Sequence, residues 1–249
     1  MKTEVLYGIH PVYEALAARR RRVYEIYLLK EKSSGRLGRI VSLAESRGIA
    51  QQTVEPGDFS GLVGTARHQG VAARVSPYSL TAFPDLMQTV RNRDGKFFLL
   101  MLDNILDPQN LGAVIRTALA AGVDGVIVPK DRCASPTPAV AKASAGALEH
   151  IRLSRVTNLV QTIKQCKNNG LWIIGLQKDA PKSIYAGDLT GSIAILLGGE
   201  QKGLRPLVKK NCDFLFSIPQ QGPLDSLNAS AAAAVAMYEA VRQRRELMH

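Results

Sequence analysis

The stretch MLDNILDPQNLGAVIRTALAAGVDGVIVPKD, residues 101–131, decides the fold. It opens as an apolar run, passes through a loop dense in Asp, Asn and Gln, and continues as an alanine-rich helix. Asn110 stands where an N-cap would satisfy the orphan amides of that helix. Leu111, Val114, Ile115 and Ala118 share one face at helical spacing and point to a core. Arg116 lies off that stripe, one turn above Gly112. A glycine there costs helix stability relative to alanine, and it leaves room for a ligand or another backbone to approach Arg116. Taken alone, Arg116 also reads as an ordinary arginine on a solvent-facing helix side.

Working outward, strands and helices alternate from residue 97 to the end. Strands are predicted at 97–102, 124–128, 171–176, 193–197 and 213–218. Helices are predicted near 110–121, 137–146, 156–169, 203–210 and 226–245. Runs such as FFLLML and IAILLG lack period-2 alternation, so both faces of these strands are buried. The pattern implies a mostly parallel sheet with helices on both sides. Ligands of such sheets sit where loops converge at the carboxyl ends of the strands.

Two more polar loops follow predicted strands. ILLGGEQKGLRP carries Gly198, Gly199, Glu200 and Gly203. It lacks the Lys-Ser/Thr of a phosphate-binding P-loop and the register of a dinucleotide fingerprint, which disfavours nucleoside triphosphates and nicotinamide cofactors. It can still press backbone against a flat ligand. FSIPQQGPLDSLNASAAAAVAMYEA makes a rigid turn at Pro219, Gly222 and Pro223, and then enters a helix of very small residues, Ala229 to Ala236. Ser226 is placed to cap that helix, and its alanines suit close packing, including packing with a second subunit.

The N-terminal part reads as an α/β unit of its own. GIHPVYEALAAR is a helix with Val12, Ala15 and Leu16 on one face; RRRRVYEIYLLK contains a strand; GRLGRIVSLAESRGI is a helix; QQTVEP and QGVAARVSPYS are strands flanking a further helix. Pro77, Pro84, Asn92, Asp94 and Gly95 mark residues 77–96 as a linker. The expected division is therefore 1–76, a linker at 77–96, and 97–249.

The 249 residues carry a formal net charge of +11 and a pI of about 9.8. The surplus is five charges in residues 1–80 and five in 97–249, so it is not confined to a tail. A basic surface along the molecule favours a polyanionic partner. The three cysteines and four histidines are scattered without zinc or disulfide spacing. No metal is expected, and a reducing, cytosolic compartment fits. The N-terminus does not read as a signal peptide, and no segment reaches the ~20 apolar residues of a membrane helix.

The three loops, in this order, resemble the signature motifs of the SpoU (TrmH-type) group of SPOUT RNA ribose 2'-O-methyltransferases. The first is Asn110, Gly112 and Arg116. The second is Gly198, Glu200 and Gly203. The third is Ile218, Pro219, Ser226, Leu227, Asn228 and Ser230. YGIHPVYEAL and the unit after it resemble the family's ribosomal-protein-like RNA-binding domain, so the likeness covers essentially the whole chain. Within the group it is nearest to the type that methylates a guanosine of 23S rRNA. Two departures from the usual motifs, IPQ for IPM and SLNAS for SLNVS, remove no polar functional group.

The resemblance implies a C-terminal domain tied in a trefoil knot, S-adenosylmethionine as methyl donor, and a homodimer. It implies a donor site at Gly198, Gly199, Glu200, Gly203, Ile218, Pro219, Leu227 and Ser230, with Gly198, Ile218 and Leu227 flanking the adenosyl group. It assigns catalysis to Arg116, Asn110, Glu200, Ser226 and Asn228. Arg116 is read as a clamp on the phosphate and support for the developing alkoxide, because a guanidinium with a pKa above ~12 is a poor base; a base role activated by the phosphate is the alternative. The N-terminal domain would hold RNA through Arg19, Arg20, Arg21 and Arg22, with Tyr24 and Tyr27 as stacking surfaces. The implied partner is 23S rRNA or a large-subunit assembly particle, with no membrane and no metal. Three other readings stand beside it: a tRNA ribose methyltransferase, a non-catalytic RNA-binding protein of the same fold, and a nucleotide-cofactor oxidoreductase. The last is disfavoured by the missing glycine fingerprints.

Overall fold

The computed structural model describes residues 2–30, 35–65, 68–91, 96–199, 203–223 and 226–246. The chain forms two compact units: Met1–Ser79 with Ser135–His150, and Leu80–Ala134 with Ile151–His249.

The first unit begins with β1 (Glu4–Tyr7), α1 (Ile9–Ala18), β2 (Val23–Leu29), α2 (Gly35–Glu45), β3 (Ala50–Val54), α3 (Pro56–Val63) and β4 (Val71–Val75). The sheet order is β1-β4-β2-β3, with β4 antiparallel to both neighbours and β2 parallel to β3. Val12, Ala15 and Leu16 of α1 are buried, as their spacing predicts. Leu6, Ile26, Ile40 and Phe59 complete this core with no exposed surface.

The arginine run after α1 divides sharply. Arg19 ends the helix in the left-handed conformation, at φ 57°, and is exposed. Arg22 is also exposed, and Arg20 is half-buried over the Tyr78 ring. Arg21, expected on an RNA surface, is instead buried. Its Nη1 donates to Glu4 Oε2 at 2.7 Å, and its Nε lies 3.1 Å from Glu149 Oε2 without hydrogen-bond alignment. A guanidinium out of water needs carboxylate partners, and these two provide them. Tyr27 is likewise unavailable for base stacking: it is buried and donates its hydroxyl to Glu25.

The second unit adds α4 (Phe83–Arg91), β5 (Phe98–Asp103), α5 (Pro108–Ala120) and β6 (Gly125–Pro129). The short α6 (Pro138–Ala143) that follows belongs to the first unit. Then come β7 (Leu153–Val156), α7 (Leu159–Asn168), β8 (Trp172–Leu176), β9 (Lys182–Ser183), β10 (Ile193–Gly198), α8 (Pro206–Lys210), β11 (Phe214–Ser217) and α9 (Ala229–Glu246). The sheet order is β7-β6-β5-β10-β8-β11-β9, and every recorded pairing is parallel. Every residue of β5 is buried, so both faces are covered.

Three expectations need correction. Residues 83–91, read as linker, form α4, and Leu86 is fully buried against the core that holds Leu99 and Met101. Pro84 is compatible with this because a helix's first turn tolerates proline. The boundary therefore falls at Ser79/Leu80, and Ser135–His150 joins the first unit although the pattern grouped it with the second. β7 was missed, because the predicted helix at 156–169 began on its last residue.

Helix α9 runs against α5. Its Ala229, Ala233, Ala236 and Ala240 are buried, and small side chains permit this close approach. At its far end Arg244 donates to the carbonyls of Phe97, Leu189 and Gly191 and covers the Phe98 ring, its centre 4.7 Å away.

Breaking a buried ion pair by removing one partner typically costs about 3–5 kcal/mol. Arg21→Ala should lower the stability of the first unit by about that amount, read as faster hydrogen exchange in β1 and α1. Arg19→Ala should leave the same amides essentially unchanged.

Candidate functional site

The site is built from loops at one edge of the parallel sheet. β5 and β10 end level, with Gly198 paired to Asp103. Beyond them two backbones come into direct contact. A Cβ on Gly198 would collide with the backbone of Gly203 and Leu204, and one on Gly199 would collide with the carbonyl of Asn104. Gly203 closes the loop, its N–H donating to Gly199 O at 2.9 Å, and holds a φ of 58° that suits glycine. Asn104 also adopts a left-handed φ, 69°, which asparagine tolerates better than most residues.

An ion pair fastens this junction. Asp103 is fully buried, and Arg205 reaches it with Nε at 2.8 and 3.1 Å and with its own N–H at 3.2 Å. The aspartate is satisfied by a residue 102 positions away, so the end of β5 is tied to the loop after β10.

The helices supply the polar groups. Asp107, not Asn110, caps α5, accepting from the N–H groups of Gln109 and Asn110. Pro108 takes the first helical position, where its missing N–H costs nothing. The Asn110 side chain is thereby released for another use. Its Oδ1 accepts from Asn228 Nδ2 at 2.9 Å. Asn228, not Ser226, caps α9: its Oδ1 accepts from the N–H and Oγ of Ser230, and its carbonyl accepts from Ala232 N. The N-termini of α5 and α9 therefore meet at this amide pair, and both present a partial positive charge to the same region.

Beside them lies a cleft of about 590 Å³, counting space that is open to solvent. Of the residues expected to hold a cofactor, Gly198, Gly199, Gly203, Ile218 and Leu227 line it, joined by Ser226. Pro219 and Ser230 are not part of the wall, and Ser230 serves instead to hold Asn228. Glu200 lies outside the described residues. Arg116 is exposed on α5, six residues beyond Asn110, and no hydrogen bond or ion pair joins it to Asn110 or Asn228, so no direct polar link among the described residues carries its role.

The sequence reading missed Leu176, Gln177 and Lys178 at the end of β8, and Phe216 and Gln220 around β11, all of which line the cleft. The carboxyl-edge rule applied to every strand, β8 included, would have found the first three. Asn104, Asp103 and Arg205 were also missed; a lone aspartate closing the apolar run LLMLD is the signal that pointed to them.

The wall suits an adenosyl group: apolar side chains from β8, β10 and β11 form its faces, and glycine backbone supplies donors and acceptors without side-chain bulk. Thiolate chemistry does not fit. Burial pushes the thiols of Cys133 and Cys166 up to about 12 and that of Cys212 up to about 11, so all three stay protonated near neutral pH. Among the described residues there is no group of three or more His, Cys, Asp or Glu able to hold a metal, and no helix is long and apolar enough to cross a membrane.

Comparison with known proteins agrees with this geometry. The family model for the SpoU rRNA methylase family matches residues 98–238, and the one for RNA 2'-O ribose methyltransferase substrate binding matches residues 5–81. The chain is 40% identical over 242 residues to the 23S rRNA (guanosine-2'-O-)-methyltransferase RlmB of Pseudomonas putida, covering 97% of each chain. It is 39% identical over 245 residues to RlmB of Escherichia coli K12, covering 97% of this chain and 99% of that one. In fold it is similar to the SpoU methyltransferase AviRb from Streptomyces viridochromogenes, solved in complex with AdoMet, at a TM-score of 0.82 and 24% identity over 98% of this chain and 91% of that one. The cleft, the paired helix starts and a family match across more than half the sequence lead to one assignment: this chain belongs to the SpoU rRNA methylase family.

Proposed function

We propose that this enzyme transfers a methyl group from S-adenosylmethionine to the ribose 2'-oxygen of a guanosine in 23S rRNA. The observation that carries the reading is the amide pair Asn110–Asn228, which joins the first and third polar loops beside the glycine-lined cleft. Near-full-length identity of 40% to an RlmB supports the substrate, and the substrate-binding match over residues 5–81 favours rRNA over tRNA.

When bound, S-adenosylmethionine supplies an electrophilic methyl carbon. Gly198, Gly199, Gly203, Ile218 and Leu227 would hold its adenosyl part, largely through backbone groups. A ribose hydroxyl is a weak nucleophile near neutral pH, so the chain must stabilise the charge that develops on its oxygen. Arg116 does this. Helical side chains lean toward the helix N-terminus, so a long side chain at 116 extends back over Gly112 and Ala113 toward the N-terminal end of α5. Its guanidinium stays protonated, clamps the adjacent phosphate and supports the alkoxide. Asn110 and Asn228 fix the sugar edge, with Ser226 and Glu200 beside them, and Ser230 keeps Asn228 in position. Arg19, Arg20 and Arg22 of the first unit hold RNA away from the reacting ribose. The active form is a cytoplasmic homodimer with its C-terminal part knotted around the donor site, acting on 23S rRNA or a large-subunit assembly particle.

Purified protein with labelled donor should methylate unmodified 23S rRNA, and mass spectrometry should locate the label on one guanosine ribose. Methylation of tRNA alone would redirect the assignment. Arg116→Ala should lower the transfer rate by about 10²–10³-fold while donor binding, measured by calorimetry, stays intact; normal turnover would remove Arg116 from the mechanism. Asn110→Ala and Asn228→Ala should be non-additive, with a coupling of about 0.5–3 kcal/mol in the transfer barrier. Additive losses would mean that the amide pair does not act as a unit.

A further inference from the structure

A second cleft opens at the same edge of the sheet, and the proposed reaction does not use it. It follows the carboxyl ends of β6 and β7 and holds about 1490 Å³ of space open to solvent. Its wall includes Pro129, Asp131, Arg132, Arg205, Pro206 and Leu207. Three properties distinguish it from an ordinary surface hollow.

The first is charge. Arg132 is exposed in the wall, and Arg205 contributes the part of its guanidinium that the Asp103 pair leaves open, being 39% exposed. The second is an uncovered apolar face. Leu207 is 69% exposed beside Pro206, an apolar surface against which a base can pack. The third is a carboxylate acceptor. Asp131 is exposed next to these donors and can receive the N–H groups on the Watson–Crick edge of a purine such as guanine. Arg132 takes its place at a φ of 64°, a conformation that bulky residues rarely adopt, so the surrounding loop holds it there.

We infer that this cleft is a subsite for a nucleotide of the RNA that flanks the methylated one. Its base stacks on Pro206 and Leu207, and its phosphate meets Arg132. The placement suits one strand of RNA: this cleft follows β6 and β7, the donor cleft follows β10, β8 and β11, and β5 alone separates the two groups, so at about 4.8 Å per strand the clefts are centred roughly 17 Å apart along the edge. Arg205 belongs to both neighbourhoods, since its other face fastens β5 to the loop that lines the donor cleft. A flanking base seated here would set the register of the strand over the reacting ribose. The inference rests on the RNA methyltransferase reading and adds to it a specificity-determining site.

The test uses full-length protein, an unmodified 23S rRNA fragment, and the variants Arg132→Gln and Leu207→Ala. Both changes are on the surface, and neither touches the donor cleft. Each variant should raise the KM for RNA about tenfold with kcat and donor affinity retained. Arg132→Gln should also flatten the dependence of log binding constant on log salt by roughly 0.7, the loss of one phosphate contact. Leu207→Ala, which removes no charge, should leave that slope alone. If wild-type protein methylates the fragment and both variants match it in KM and salt slope, the subsite is refuted and the proposed function stands. If wild-type protein neither binds nor methylates the fragment, both are refuted.

Discussion

The site depends on one steric constraint: two stretches of backbone pass so closely beyond β5 and β10 that no side chain fits between them. Gly198 and Gly199 lie against Gly203, Leu204 and Asn104 at distances that exclude even a methyl group. Contact of this kind needs something to hold it, because backbone atoms packed together lose water and gain little dispersion in return. The Asp103–Arg205 pair is that fastening. A fully buried carboxylate is costly unless it is both paired and hydrogen-bonded, and Arg205 provides both from the adjoining loop. The sheet edge thus becomes a rigid lip, and the cleft for a flat ligand forms below it.

The helices complete the site through the same economy of small residues. Buried alanines let α9 lie close to α5, which brings the two helix N-termini together. Each helix is capped by a residue other than the one its motif suggests. Asp107 caps α5, so Asn110 is released to face Asn228. Asn228 caps α9 with its oxygen and reaches Asn110 with its nitrogen. One amide therefore caps a helix and holds the Asn110 side chain, so capping α9 does not take up the nitrogen that serves the role proposed for it.

Much of this was legible in the sequence. Unalternated apolar runs marked buried parallel strands, and the edge rule led to two of the loops that line the cleft. Helix α1 followed from Val12, Ala15 and Leu16. What could not be read were pairings between distant residues and choices among equivalent caps. Arg21 and its neighbours are identical in sequence, yet only Arg21 enters the interior, because Glu4 and Glu149 wait there. Asp107 and Asn110 are both good caps, and the proline after Asp107 decides between them only once the helix start is known. Helix α4 was hidden by Pro84, since a proline reads as a breaker until its neighbours Leu86 and Met87 are seen to be buried. Lys178 and Gln177 went unnoticed because a strand end without glycine or an amide cluster carries no local sign of function.

Backbone contact at Gly199 shapes the cleft proposed for the methyl donor. The most direct measurement is calorimetric titration of S-adenosylmethionine into Gly199→Ala, with the circular dichroism of the variant recorded alongside. Native helix content is expected with donor affinity reduced by at least about tenfold, because the added methyl must displace the Asn104 carbonyl and open the lip of the cleft. Wild-type affinity in a folded Gly199→Ala protein would contradict it.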